Sequence, residues 1–362
     1  MDADTIKKRV AALTAVLKKR SLGGAVITDR ANVTYLTGFG GDDSWALIIG
    51  PRVWLLTDSR YIEQARGECV GCKIIQCKES LFAEVAKITN RFKSAGIIGI
   101  ENTTPVALFD KIRKKTAARF KKIPNLTKQL RAIKEASEVA AIRRASRIAD
   151  KALDRALKRL KVGMTESELA GRLEFEIRKS GALVAFETIV CFGANASRPH
   201  HIPGNRRLRK NDTILIDFGA KYKGYNSDKT RCFVVGKVNR GFQKAYDAVA
   251  LAQKTAIDLI TEGVKAKDID AAAREVIKNA GFAVFGHGLG HGLGLEVHEL
   301  PVLSLKSKDI LKAGQVVTVE PGIYIPGKFG IRIEDDVLVT KTGFKILTRT
   351  KISPHLCVIK CK

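Results

Sequence analysis

Residues 213–235 read TILIDFGAKYKGYNSDKTRCFVV, in which two β-rich runs, Thr213 to Phe218 and Thr230 to Val235, flank the turn-like Lys221-Tyr222-Lys223-Gly224. Folded as a hairpin with those four residues as its loop, the segment sets Asp217 directly opposite Asp228. Side chains paired in this way have Cβ atoms about 5 Å apart on one face of the sheet. Two facing carboxylates repel unless a proton or a cation lies between them. A structural or capping aspartate accounts for either residue alone, whereas the pair in register points to a metal.

Downstream, Gly286-His287-Gly288-Leu289-Gly290-His291-Gly292-Leu293-Gly294 carries glycine at every even position, which excludes a stable helix. The pattern predicts extended chain with both histidines on one face, roughly 13 Å apart. They cannot share one ion, so at most one is a ligand, and spacing does not say which; a glycine-rich turn holding packed histidines is the bland alternative. Glu320 ends the strand-like Val316-Val317-Thr318-Val319-Glu320, where Pro321 favours extended backbone. Glu334 falls in the alternating Ile331-Arg332-Ile333-Glu334-Asp335-Asp336, with Arg332 on its own face. Taken singly, these glutamates read as edge-strand surface residues. Together, four carboxylates and a histidine make an oxygen-rich site suited to Mn²⁺, with imidazole also admitting Zn²⁺, Co²⁺ or Fe²⁺. Shared carboxylates allow two ions about 3.5 to 4 Å apart, clamping a water that becomes hydroxide near neutral pH, which is hydrolase chemistry.

Around this segment the chain divides in two. The first third alternates strand candidates at Ala25 to Thr28, Trp45 to Ile49, Val53 to Thr57, Cys72 to Cys77 and Ile97 to Ile100 with helices near Leu81 to Arg91 and Val106 to Lys114. Pro124 and Asn125 interrupt the pattern, so the boundary is expected near residues 124–130, giving domains 1–126 and 127–362. A long helix from about Ser137 to Leu160 follows, then one opened by a Thr165/Glu168 capping box and ended at Gly181. Two more helices are expected near Phe242 to Thr261 and Ala266 to Ala280. Strands clustered apart from helices indicate α+β with an antiparallel sheet. No internal repeat is evident.

The 362 residues, 45% hydrophobic and 28% charged, are those of a folded globular protein and exclude collagen-like, low-complexity and wholly disordered chains. No apolar run is long enough to span a membrane. Thr5 to Arg20 repeats Ile6, Val10, Leu13 and Leu17 at helical spacing behind Asp2 and Asp4, a surface helix rather than a signal or transit peptide, so the cytoplasm is the expected location. Seven scattered cysteines are not a secreted disulfide framework; Cys69, Cys72 and Cys77 lack a convincing fourth zinc ligand, and with Cys357 and Cys361 they read as plain thiols. The formal charge of +27 is dense at Lys7 to Arg20, Lys111 to Lys122 and Arg206 to Lys210, which favours anionic partners. Only Phe120 lies inside these runs, so a solvated basic surface is preferred to a nucleic-acid face.

The ordered motifs LIDFG (215–219), Asp228, GLGHGLGLEVHE (288–299), VEPGIY (319–324) and GIRIEDD (330–336) resemble the Xaa-Pro aminopeptidase and prolidase group of the pita-bread metallopeptidases, family M24. Thr34-Tyr35-Leu36-Thr37-Gly38-Phe39 and Leu56-Thr57-Asp58-Ser59-Arg60-Tyr61 resemble the group's creatinase-like N-terminal domain. The resemblance implies an α+β protein with a creatinase-like α/β domain followed by a pita-bread catalytic domain with a curved, mainly antiparallel sheet. It implies that Asp217, Asp228, His291, Glu320 and Glu334 hold two divalent ions, Mn²⁺ first, with Asp228 and Glu334 bridging and Glu320 also moving a proton. His200 and His298 are then expected to orient substrate and stabilise the tetrahedral intermediate, and Arg332 to position its neighbours or the substrate. The implied substrates are peptides with proline second, cleaved as by aminopeptidase P or, alternatively, by a strict dipeptidase, and the implied assembly is a homodimer. Arg198, where many relatives carry a small or apolar residue, is the visible departure and adds charge before Pro199-His200. A non-enzymatic pita-bread protein binding nucleic acid or ribosome through its basic surface is the alternative of another class.

Overall fold

The computed structural model describes residues 3–92, 96–124, 126–348 and 357–359. Asp2, Asn125 and Cys361 lie outside the described residues. By internal contacts the chain separates into residues 1–131 and 132–362.

The first unit is a six-stranded sheet of β1 (Gly24–Ile27), β2 (Ser44–Ile49), β3 (Arg52–Thr57), β4 (Lys73–Gln76), β5 (Ile97–Glu101) and β6 (Arg119–Ile123), in the order β4-β3-β2-β1-β5-β6. The central β1-β2-β3 meander is antiparallel and the flanking pairs are parallel. Its helices are α1 (Ala3–Lys19), α2 (Arg30–Thr37), α3 (Ile62–Glu68), α4 (Leu81–Arg91), α5 (Val106–Lys115) and α6 (Leu126–Arg131). Ile6, Val10, Leu13 and Leu17 are the buried stripe of α1, as their spacing requires. Sequence patterning missed α2, α3, α6 and β6. These are short or basic, and β6 is a sheet edge with most of its residues exposed, so each lacks a clean apolar period.

Among its described residues the second unit holds four α-helices, α7 (Ala136–Leu157), α8 (Glu166–Lys179), α9 (Arg240–Asp258) and α10 (Ala266–Asn279). Its strands are β7 (Leu183–Val184), β8 (Ile189–Phe192), β9 (Thr213–Phe218), β10 (Ala220–Tyr222), β11 (Tyr225–Asn226), β12 (Lys229–Val235), β13 (Gly290–Gly292), β14 (Glu299–Leu303), β15 (Val316–Val319), β16 (Gly322–Ile325), β17 (Phe329–Arg332), β18 (Asp335–Thr340), β19 (Gly343–Ile346) and β20 (Cys357–Ile359). The two main sheets run β20-β12-β9-β8 and β14-β13-β15-β18-β19, antiparallel except where β20 joins β12. One apolar core packs α7 and α8 against β8, β9 and β12, and a second packs α9 and α10 against β15, β18 and their neighbours. Residues 163–184 and 263–284, which carry no evident sequence repeat, share a local hydrogen-bond pattern. Gly163 N donates to Leu208 O and Leu208 N to Met164 O; Gly263 N donates to Leu311 O and Leu311 N to Val264 O. The equivalent helices share a buried stripe, Leu169, Leu173 and Ile177 against Ile269, Ala273 and Ile277, but few identical residues, which hid the likeness.

The hairpin that opens the site is built on a tighter turn than expected. Tyr222 pairs with Tyr225 around Lys223 (φ 50°) and Gly224 (φ 84°), a two-residue turn with both central residues left-handed, which suits the twist of a β-hairpin. The register therefore pairs Asp217 with Thr230 and leaves Asp228 just before β12 begins. The displacement is by two residues, so side-chain parity survives and Asp228 becomes Asp217's diagonal neighbour rather than its direct partner. In the glycine-rich stretch only Gly290–Gly292 is strand; residues 286–289 are bends and irregular chain, not the continuous extended segment expected.

Candidate active site

Asp217 leaves β9 and Asp228 precedes β12, while His291 is central in β13; Glu320 follows β15, and Arg332 and Glu334 flank the crossing from β17 to β18. All six line a cleft of about 740 Å³. The chain comes to this point because backbones pack too closely for side chains beside His291. A Cβ on Gly290 would lie 2.0 Å from the Thr318 carbonyl oxygen, and one on Gly292 2.0 Å from that of Leu300. Alternating glycines thus let β13 nestle between β14 and β15 and deliver one imidazole inward.

Ligating atoms of Asp228, His291 and Glu334 all lie within 4.8 Å of one another. His291 Nε2 is 3.7 Å from Asp228 Oδ2 and 3.4 Å from Glu320 Oε1. The ring's Nδ1 donates to the Gly292 carbonyl at 3.1 Å, so in the neutral imidazole the Nε2 lone pair faces the carboxylates. Burial, with His298 close by, lowers the His291 pKa to about 4 and keeps the ring neutral. His287 instead donates from Nδ1 to the Gly288 carbonyl (2.7 Å) and accepts at Nε2 from Tyr324 Oη (3.0 Å). Of the two histidines that spacing left undecided, His291 joins the carboxylates and His287 packs on Phe285 and Tyr324.

A chain of hydrogen bonds fixes the remaining acids. Thr230 Oγ1 donates to Glu334 Oε2 (2.7 Å) and accepts from Arg332 Nε (3.0 Å). Arg332 Nη2 donates to Asp217 Oδ2 (2.5 Å), and its Nη1 reaches Tyr324 Oη (3.0 Å) and the Pro199 carbonyl (3.4 Å). Thr318 Oγ1 donates to Glu320 Oε1 at 3.3 Å and accepts from the His291 amide at 3.1 Å. His298 meets the His291 ring edge to face, 4.4 Å between centroids, and His200 lies exposed at the cleft wall. Thr230 and Tyr324 were not anticipated. Thr230 shares a strand face with Asp228 and Tyr324 closes the VEPGIY motif, but hydroxyls carry no spacing signal of their own.

The electrostatics ask for positive charge. Burial, then repulsion from the neighbouring acids, pushes Asp228 and Glu334 well above the usual carboxylate range. Burial raises Glu320 to about 8, with Arg332 opposing and Asp217 adding to the rise. Asp217 Oδ1 is buried and accepts no hydrogen bond among the described residues. One arginine cannot neutralise this cluster, and a hard divalent cation fits its donors: carboxylate oxygens, an orphaned oxygen and an outward lone pair.

Residues 140–341 match the metallopeptidase family M24, and residues 9–133 match the creatinase/prolidase N-terminal domain. The chain belongs to metallopeptidase family M24. This M24 chain is 37% identical over 352 residues to an Xaa-Pro dipeptidase of Pyrococcus furiosus, covering 96% of itself and 99% of that protein. It superposes on an Xaa-Pro dipeptidase from Bacillus anthracis with a TM-score of 0.93 at 34% identity, covering 98% of this chain and 100% of the other. An X-Pro aminopeptidase from Thermotoga maritima gives 0.89 at 35% identity, with 97% and 99% covered. The expected creatinase-type N-terminal domain and pita-bread catalytic domain are both present. Members of the family use divalent metals, in keeping with the acid cluster.

Proposed function

We propose that this M24 peptidase hydrolyses the bond between an N-terminal residue and a following proline, with two divalent ions, Mn²⁺ first, held by Asp217, Asp228, His291, Glu320 and Glu334. The observation that carries this is the convergence of Asp228, His291 and Glu334 within 4.8 Å, with Glu320 3.4 Å from the same imidazole. An Xaa-Pro bond lacks an N–H and has a fixed φ on its proline side, so peptidases that dock extended substrates through backbone hydrogen bonds handle it poorly. When bound, the metal pair supplies Lewis acidity and a water acidified to near-neutral pKa.

The chain's own groups do the rest. Glu320 passes a proton toward the proline nitrogen, as a carboxyl whose affinity for protons is raised by burial. His298, seated against His291, donates to the developing oxyanion, and His200 orients the peptide from the cleft wall. Arg332 holds Asp217 and Tyr324 in place. We infer a homodimer from the family.

Dipeptidase action in the strict sense is the second reading, favoured by the names of the Pyrococcus and Bacillus relatives. A length series separates the two: cleavage of Xaa-Pro alone marks a dipeptidase, and equal or faster cleavage of Xaa-Pro-Yaa and longer peptides an aminopeptidase. Failure to cleave any of them with Mn²⁺ present would refute both.

A further inference from the structure

The segment from Phe192 to Gly204, which brings His200 to the cleft wall, is gathered by a single side chain. Glu166, the first residue of α8, is 0% exposed. Its Oε1 accepts from the Phe192 amide (2.8 Å) and from Asn195 Nδ2 (2.8 Å). Its Oε2 accepts from His201 Nε2 (2.9 Å) and from the Gly204 amide (3.1 Å). Burial raises the Glu166 pKa, but the donors from His201, Phe192, Asn195 and Gly204 outweigh it and leave the carboxyl below its usual range. Since an ionised carboxylate only accepts, His201 must carry its proton on Nε2. His201 lines the cleft beside His200, and the Pro199 carbonyl accepts from the arginine that grips Asp217.

We propose that Glu166 is a positioning residue for the peptidase reaction, a buried carboxylate that holds residues 192–204 so that His200 and His201 face the substrate. The proposal rests on the Xaa-Pro peptidase function proposed above. None of the five metal-ligating candidates belongs to this segment, which reaches Asp217 through the Pro199 carbonyl and Arg332, so the clamp is expected to act chiefly on the substrate side of the cleft and little on metal uptake.

Glu166→Gln is nearly isosteric but can accept from only two of the four donors and turns its own N–H groups toward the others. In full-length Mn²⁺-loaded protein we expect Mn²⁺ affinity within about twofold of wild type and kcat/KM on an Xaa-Pro peptide down by about tenfold or more. In the spectrum of the six histidines, the carboxylate-bonded His201 ring N–H signal should shift or vanish while that of His291 stays. Asn195→Ala, which removes one donor and leaves the carboxylate, should lose about threefold in kcat/KM at unchanged Mn²⁺ affinity, and it decides the matter should Glu166→Gln not fold. Folded variants that match wild-type turnover, or that lose turnover in step with Mn²⁺ affinity, would overturn the proposal. An inactive wild type in the same assay would count against the peptidase function, whereas the His201 signal reports the clamp without any turnover.

Discussion

His291 presents an unprotonated nitrogen to two carboxylates, an arrangement that is repulsive until a cation enters. The acids around it are in the same position, and their protons couple stability to pH. Asp228, Glu320 and Glu334 have raised pKa values, Glu320 about 8, so above the ordinary carboxylate range the metal-free folded chain keeps protons that the unfolded chain has released. Stability of the metal-free protein should therefore fall as pH rises toward 8. His291, lowered to about 4, works the opposite way below its unfolded value of about 6.5, so the decline should be read between roughly pH 6.5 and 8. Denaturant titrations of metal-free protein at those two pH values check this, and a flat or rising stability contradicts it. Because metal must displace these protons, its affinity should rise over the same interval, with proton release visible by calorimetry in buffers of differing ionisation enthalpy. Asp228→Asn, Glu334→Gln and His291→Ala should each fold yet lose at least about a hundredfold in turnover, more than is usual for an outer partner of a metal ligand. The aspartate pair was legible in sequence from strand parity, whereas Glu320 and Glu334, bland when read singly, stood out through the ordered motifs that resemble the family. The choice between His287 and His291 was not legible from spacing, since it depends on which imidazole the neighbouring strands leave facing the acids.

At the level of elements, what places His291 is the close fit of β13 against Thr318 and Leu300. Gly292→Ala should force β13 away from Leu300 and lower metal affinity by about tenfold or more, comparable to losing an outer-shell contact. Titrating the folded variant with Mn²⁺ tests this; wild-type affinity would show that the strand has room to spare. A second buried carboxylate works at the other end of the same segment. Asp270 on α10 accepts from the Leu289 amide (2.9 Å) and from Arg274, whose guanidinium donates to the Phe285 and His287 carbonyls (2.7 and 2.6 Å). Asp270→Asn should therefore weaken Mn²⁺ binding, in contrast to Glu166→Gln, and equal effects from the two would deny them separate roles. The hairpin shows where sequence patterning falls short. Its strands are plain in the β-branched runs, but Lys223 in left-handed backbone is not a common choice, so the loop looked two residues longer than it is and the register moved with it. Parity kept Asp217 and Asp228 on one face regardless.

Across the whole molecule, most helices and strands followed from apolar period, whereas the likeness of α8 and its lead-in to α10 did not, because what the two segments share is a burial stripe and a hydrogen-bond pattern. Among the described residues no helix is long and apolar enough to cross a membrane. The charge of +27 should keep the chain dispersed at low salt and draw it toward anionic surfaces, an attraction that salt screens. Sedimentation at moderate salt should show the homodimer inferred from the family, and a monomer would contradict that inference. In the proposed centre, five side chains carried on or beside separate strands act together as one metal site upon an Xaa-Pro bond. Its most direct test is to strip the protein of metal and restore Mn²⁺ stepwise, following bound metal and hydrolysis of an Xaa-Pro dipeptide together. Turnover should be absent at the start and rise with occupancy in wild type, with neither full occupancy nor turnover in Glu334→Gln; hydrolysis by the stripped enzyme, or full activity in that variant, would contradict it.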